Sequence, residues 1–162
     1  MTVVEDYYTN KDKTLLIGKL CNNAVINGSE VIGDQTDGAI LKFCKGHEGD
    51  LERVDEIPLD SNRKMMTTIH RLDGENNIVL SKGAPEIILD KCKHIDDNGT
   101  IKILDAETKE MLLEKVGEMS AKALRDFVNP LKSAVVILAE FQYGAVSLIS
   151  NEFIAVKHCI VA

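Results

Sequence analysis

The spacing of apolar positions along this chain changes several times, and each change marks an element. Over Lys11 to Cys21 (KDKTLLIGKLC) it is helical. Two short runs follow, Ala24 to Ile26 and Glu30 to Ile32, and Asn27-Gly28 between them is a strong reversal signal. Ala39, Ile40, Leu41 and Phe43 predict a second helix, with Thr36 as its N-cap and a stop near Gly46. Lys64 to Arg71 (KMMTTIHR) and Asn77 to Lys82 (NIVLSK) read as strands of an antiparallel hairpin, reversed at Asp73-Gly74.

Pro85 then fits the first position of a helix from Glu86 to about Cys92, because a proline lacks the N–H that would be unpaired there anyway. Asp97-Asn98-Gly99 turns the chain into a strand, Thr100 to Leu104, after which Asp105 can cap a long helix. That helix carries acids in its first turn, Lys122 and Arg125 near its end, and a stripe of Leu112, Val116, Met119 and Ala123. Ser133 to Ser150 is rich in β-branched residues and interrupted by Glu140, Gln142 and Gly144, so it predicts two short strands. Hairpins mixed with helices, without regular βαβ alternation, predict an α+β fold: an antiparallel β-sheet flanked by helices.

Composition narrows the function. A chain of 162 residues is long enough for one ordinary domain. A net charge of −7 without a dense Lys/Arg cluster argues against nucleic acid, whose phosphates require a basic face. The four cysteines stand far apart with no CxxC pair, which predicts reduced thiols rather than zinc or a disulfide framework. No segment reads as a membrane helix, which needs about 20 mostly apolar residues.

The chain contains no GxxxxGK[ST], GxGxxG after a strand, HExxH or GxSxG, and its four histidines are scattered. No catalytic set and no metal set is predicted. Polar residues at exposed backbone remain. Lys82 and Gly83 precede the Pro85 helix, whose N-terminus attracts anions; Gly83 admits the close approach of a ligand or of another backbone. Arg63-Lys64 opens the preceding strand, which would bring further cations to the same end of the hairpin. These cations read either as solvated surface charges or as an anion site. Asp34 and Asp37 read either as helix-terminal acids or as acceptors for a ligand amino group.

Taken together, CNNA (Cys21 to Ala24), GDQTDGAIL (Gly33 to Leu41), IPLDSNRKMMT (Ile57 to Thr67), SKGAPEIILDKC (Ser81 to Cys92) and MSAKALR (Met119 to Arg125) resemble the nucleotide-binding domain of cation-transporting P-type ATPases, most like the calcium-pump branch. MTVVEDYY resembles the segment after the phosphorylated-aspartate motif DKTGTLT of such pumps, and the start at MTVV is read as that of a fragment. The resemblance implies one nucleotide-binding domain over residues 1–162, with a best-matching core at 10–125 and a divergent tail at 126–162 that completes the sheet. It implies ATP, as its magnesium complex in the parent enzyme, bound by Asp34, Thr36, Asp37, Leu59, Lys64, Lys82, Gly83 and Arg125. Lys82 and Lys64 would line the phosphate side, Asp37 would stand near the adenine amine, and Arg125 would contact the nucleotide from across the cleft.

Two departures accompany the resemblance. Leu59 in IPLDS stands where the family commonly has an aromatic residue stacking on adenine, a contact worth about 1 to 3 kcal/mol, so the isolated domain is expected to bind ATP at millimolar concentration or more weakly. After Arg125, DFVNPLK precedes SAVVILAEF where the family continues into a strand, so either the sheet resumes at Ala134 to Leu138 or the tail is altered. The expectation is a domain that binds ATP without hydrolysing it and delivers it to an aspartate of a neighbouring domain. Its partners would be the phosphorylation and actuator domains of a multi-pass membrane pump, with this domain soluble on the cytoplasmic side and not touching the membrane itself. The alternative is a non-catalytic interaction module on the same scaffold that has lost nucleotide binding.

Overall fold

A computed structural model describes residues 3, 5–74, 76–126, 135–143 and 153–161, with Glu5, residues 122–126 and the last two segments described through their backbone. In chain order the elements are β1 (Glu5–Tyr8), α1 (Lys11–Leu20), β2 (Val25–Asn27), β3 (Glu30–Ile32), α2 (Gln35–Phe43), β4 (Arg53–Asp60), β5 (Met65–Asp73) and β6 (Asn76–Gly83). They continue with α3 (Pro85–Lys91), β7 (Cys92–Asp97), β8 (Thr100–Ile103), α4 (Ala106–Asp126), β9 (Val135–Tyr143) and β10 (Phe153–Val161).

The main sheet runs β4-β5-β6-β9-β10-β7-β8, with β1 also paired to β10, while β2 and β3 form a separate hairpin. Every pairing is antiparallel except that of β10 with β7. The α+β class with an antiparallel sheet is therefore what the chain adopts. The expected β5–β6 hairpin is present in the register that brings Met65 opposite Gly83 and Met66 opposite Lys82. The stretch predicted as two strands differs. Its first half is one nine-residue strand, β9, running through Glu140 and Gln142, and residues 144–150 lie outside those described. β9 pairs along the length of β6, so the sheet does resume beyond residue 126.

Period-two alternation on β5 and β6 divides the core in two. Met66, Ile78 and Leu80 pack with Ile17, Leu20 and Cys21 of the α1 region and Ile40 and Cys44 of the α2 region. Met65, on the opposite face, packs with Ile88, Leu89, Cys92, Ile95 and Leu112 beneath α3 and α4. His70 is buried on β5; its Nδ1 lies 3.3 Å from the Leu51 carbonyl oxygen and its Nε2 3.0 Å from the Thr68 hydroxyl. A carbonyl only accepts, so Nδ1 carries the proton and Nε2 accepts from Thr68. Burial lowers the imidazole pKa and keeps the ring neutral.

Cys21, Cys44 and Cys92 are free and buried. Burial pushes the thiols of Cys44 and Cys92 up to about 12, which makes them inert packing groups.

Candidate functional site

Strand alternation decides where Lys82 goes. It is two residues beyond Leu80 and four beyond Ile78, so it shares their face of β6, the one covered by α1 and α2. There its ammonium meets the Asp37 carboxylate in an ion pair whose side chains are only 7% and 15% exposed. A cation this buried requires such a partner, since an isolated charge out of water is strongly disfavoured.

Asp37 is set in place by the start of α2. The N-cap is Asp34, whose carboxylate accepts from the backbone N–H groups of Thr36 at 2.8 Å and Asp37 at 3.2 Å. The expectation that Thr36 caps this helix is corrected: Thr36 already lies inside it, because Asp34 satisfies two of the orphan donors of the first turn. The second oxygen of Asp37 accepts from the Asn23 N–H at 3.3 Å, and the Asn22 side-chain amide donates to the Asp37 carbonyl oxygen at 2.9 Å. Behind the pair, the Cys21 sulfur lies 3.5 Å from the Leu80 carbonyl oxygen, and burial raises its pKa against the opposing pull of Lys82.

Gly83 answers the choice that the sequence left between ligand and backbone. A Cβ there would lie 2.5 Å from the Lys64 carbonyl oxygen and 2.8 Å from Met65 Cα, and the adjoining Ala84 N–H donates to that same carbonyl at 2.9 Å. The close approach is that of β5. Lys64 itself has a positive φ of 51°, and its exposed ammonium stands 3.9 Å from Glu86. Arg63 does not join it. Its guanidinium donates to the carbonyl oxygens of Ile57, Pro58 and Met65 at 2.9 to 3.1 Å and braces the β4–β5 turn.

These elements surround a cleft of about 730 Å³, within the range of about 300–1,000 Å³ usual for small-ligand sites. Asp34, Thr36, Asp37, Leu59, Lys64, Lys82 and Gly83 all line it, drawn from segments up to 49 positions apart in the numbering of the chain. Arg125 lies in the last turn of α4, whose Val116 and Ser120 also line the cleft; the Arg125 side chain is outside the described residues. Asn23, Met66, Ala84, Pro85 and Glu86 line it as well. No individual role was expected of Asn23, Met66 or Ser120, although each lies within a segment that carries the family resemblance.

The cleft combines apolar surface (Leu59, Met66, Val116) with a carboxylate already held on two sides and a cation at the rim. Among the described residues its charged side chains are three acids, Asp34, Asp37 and Glu86, against two lysines. Among the described residues no histidine or cysteine lines it, and no group of three or more His, Cys, Asp or Glu side chains could hold a metal ion. Such a site can bind and orient a molecule that has a flat apolar part and an amine. No helix among the described residues is long and apolar enough to cross a membrane.

Comparison with known proteins identifies the family. The family described as P-type ATPase, cytoplasmic domain N matches residues 10–140, which reaches past α4 into β9. A calcium-transporting ATPase of Bacillus cereus is 40% identical over 113 residues, 65% of this chain and 13% of that protein. One from Listeria monocytogenes is 31% identical over 129 residues, 75% of this chain and 14% of that protein. The sodium/potassium-transporting ATPase alpha subunit of Drosophila melanogaster is 34% identical over 113 residues, 58% of this chain and 11% of that protein. The chain therefore spans a small part of the length of these relatives, and it belongs to the P-type cation-transporting ATPase family as a cytoplasmic N domain.

Proposed function

We propose that this chain binds ATP in the cleft between α2, the β5–β6 strand ends and the start of α3. The observation that carries the reading is the convergence of Asp37, Lys82, Lys64 and Leu59 on one cleft of nucleotide size, in a domain whose family serves ATP-driven pumps. Asp37 is the acceptor for the exocyclic amine of adenine, and Leu59, 70% exposed on β4, offers the base an apolar surface. Because Lys82 is neutralised by Asp37, it fixes the acid rather than standing free for phosphate. Lys64, exposed at the rim beside Glu86, is the cation among the described residues that meets the phosphates, and Arg125, in the last turn of α4, is a further residue assigned to the nucleotide. Magnesium would then arrive on the phosphates of ATP, as it commonly does, without a protein cage of its own.

In this reading the chain holds ATP and hydrolyses none. The whole protein would be a membrane cation pump in which this domain carries ATP to a phosphorylatable aspartate of a neighbouring phosphorylation domain and moves against an actuator domain. Calcium is the cargo we propose, since two of the relatives above are named for it. A single domain over the whole chain, with β9 and β10 completing its sheet, fits the strand order.

An ATP titration followed by backbone amide NMR tests the reading. Saturable shifts are expected at Asp37, Lys64, Lys82 and Gly83. No shift at about 10 mM ATP, ten times a dissociation constant of about 1 mM, overturns it. It would favour instead an interaction module, for which the unpartnered apolar side chain of Leu59 is the supporting observation.

A further inference from the structure

A side chain outside the cleft braces the turn that meets the acid of the cleft. Arg53, the first residue of β4, reaches across to the turn that follows α1. Its Nη2 donates to the carbonyl oxygens of Leu20 at 2.7 Å and Asn22 at 2.6 Å, and its Nη1 donates to Asn23 Oδ1 at 2.6 Å and to the Glu56 carboxylate at 2.8 Å. Carbonyls at a helix C-terminus lack partners within the helix, and a cation there is also favoured by the helix dipole. The planar fork of arginine serves several acceptors at once, which the point charge of lysine does not.

The turn so fixed is the one that touches Asp37. Asn23 N–H donates to one oxygen of the Asp37 carboxylate, and Lys82 holds the other. Asn22 is itself locked: its amide donates to the carbonyl oxygens of Gly18 and Asp37, and its Oδ1 accepts from the Ala24 N–H at 2.8 Å. A carboxylate offers about four acceptor directions, so two such contacts orient Asp37 and leave capacity for a ligand.

We propose that Arg53 is a positioning residue for Asp37: by clamping the Leu20–Asn23 turn it fixes the acceptor that reads the exocyclic amine of the bound base. The proposal rests on the ATP reading above. Arg53 does not line the cleft, so its influence on a ligand passes through the turn and Asp37.

The test compares ATP with inosine triphosphate, which has a carbonyl in place of the amine, by NMR titration of the full chain. Arg53→Met is expected to weaken ATP about fivefold to tenfold and to leave inosine triphosphate within about twofold, so that selectivity falls. Arg53→Lys does not restore it. In an Asp37→Asn background, Arg53→Met has no further effect on ATP, as a double-mutant cycle requires of a residue acting through another. Equal losses for the two nucleotides, full ATP affinity in both Arg53 variants, or an undiminished effect in the Asp37→Asn background each overturn the positioning role. A wild-type chain that fails to respond to ATP overturns the ATP reading itself, which keeps the two failures distinct. Thermal unfolding is followed for each variant, and if Arg53→Met does not fold, Arg53→Lys carries the test with the same expected fall in selectivity.

Discussion

Two of the lysine–aspartate pairs among the described residues, Lys13–Asp96 and Lys82–Asp37, differ in what surrounds the carboxylate. Asp96, on β7, is fully buried and takes the Gly99 N–H at 2.6 Å, the Lys13 ammonium at 3.1 Å and the Asn10 amide at 3.2 Å. The Lys13 and Asn10 contacts tie the β7–β8 turn to the start of α1, and the link is reinforced by the Asn98 N–H on the Thr9 carbonyl oxygen and by the Thr9 hydroxyl on the Asp96 carbonyl oxygen. Asp37, held by Lys82 and Asn23, opens instead on a cleft. The same two residue types thus make a closed structural lock at one place and a partly used acceptor at the other. What separates them is how many of the carboxylate's partners the fold itself supplies.

The widest gap between the two should appear in stability. Asp96→Ala is expected to cost about 2–3 kcal/mol, toward the low side for a broken buried pair because Lys13 can return to water, and to lower the thermal midpoint by about 5–10 °C. ATP affinity should not change. Calorimetry with a parallel titration checks this, and weakened nucleotide binding in a folded Asp96→Ala chain would erase the distinction. Leu59→Phe acts on the open side alone. It supplies the missing ring and should tighten ATP by about 1 to 3 kcal/mol, with the thermal midpoint of the unliganded chain unchanged. Unaltered affinity would mean that the base does not lie against β4.

The smallest effect concerns acid. Burial alone would raise the pKa of Asp96, but hydrogen bonds from Gly99, Lys13 and Asn10 outweigh it and leave the group below the usual carboxylate range. A lowered carboxylate stabilises the fold fully above its unfolded value of about 3.9 and loses that contribution as pH falls through it toward the folded value. Between about pH 5 and about pH 3 the thermal midpoint of wild type should therefore fall more steeply than that of Asp96→Asn. Equal slopes would show that the lock does not depend on the charge.

Periodicity made α1, the β2–β3 hairpin, the β5–β6 hairpin and the Pro85 helix legible, because each couples an apolar pattern to a local start or stop signal. β4 (RVDEIPLD) escaped, since it is an edge strand, mostly exposed, with Pro58 inside it; an edge strand needs no buried face to declare itself. β7 escaped because it begins directly at the end of α3 with no turn residue between them. At the site, which segments matter was readable from the ordered motifs, but the pairing of Lys82 with Asp37 was not. It joins residues 45 positions apart and follows from which face of β6 meets α2. Arg53 was invisible for a related reason: two of its four partners are main-chain carbonyls, which carry no side-chain signature.

The strand order has a consequence for how the chain comes together. β9 and β10, from the C-terminal part, sit between β6 and β7, and β10 also receives β1. During synthesis the β4–β6 unit and the β7–β8 hairpin emerge before β9 and β10 with no ladder joining them, and β1 waits for β10, which follows all of them in the chain. Contacts this distant along the chain form slowly, and the flank of β6 remains an unpaired template until β9 covers it. A ribosome-bound intermediate ending near α4 would therefore be two separate half-sheets, and the strands that follow α4 act as the keystone that turns them into one.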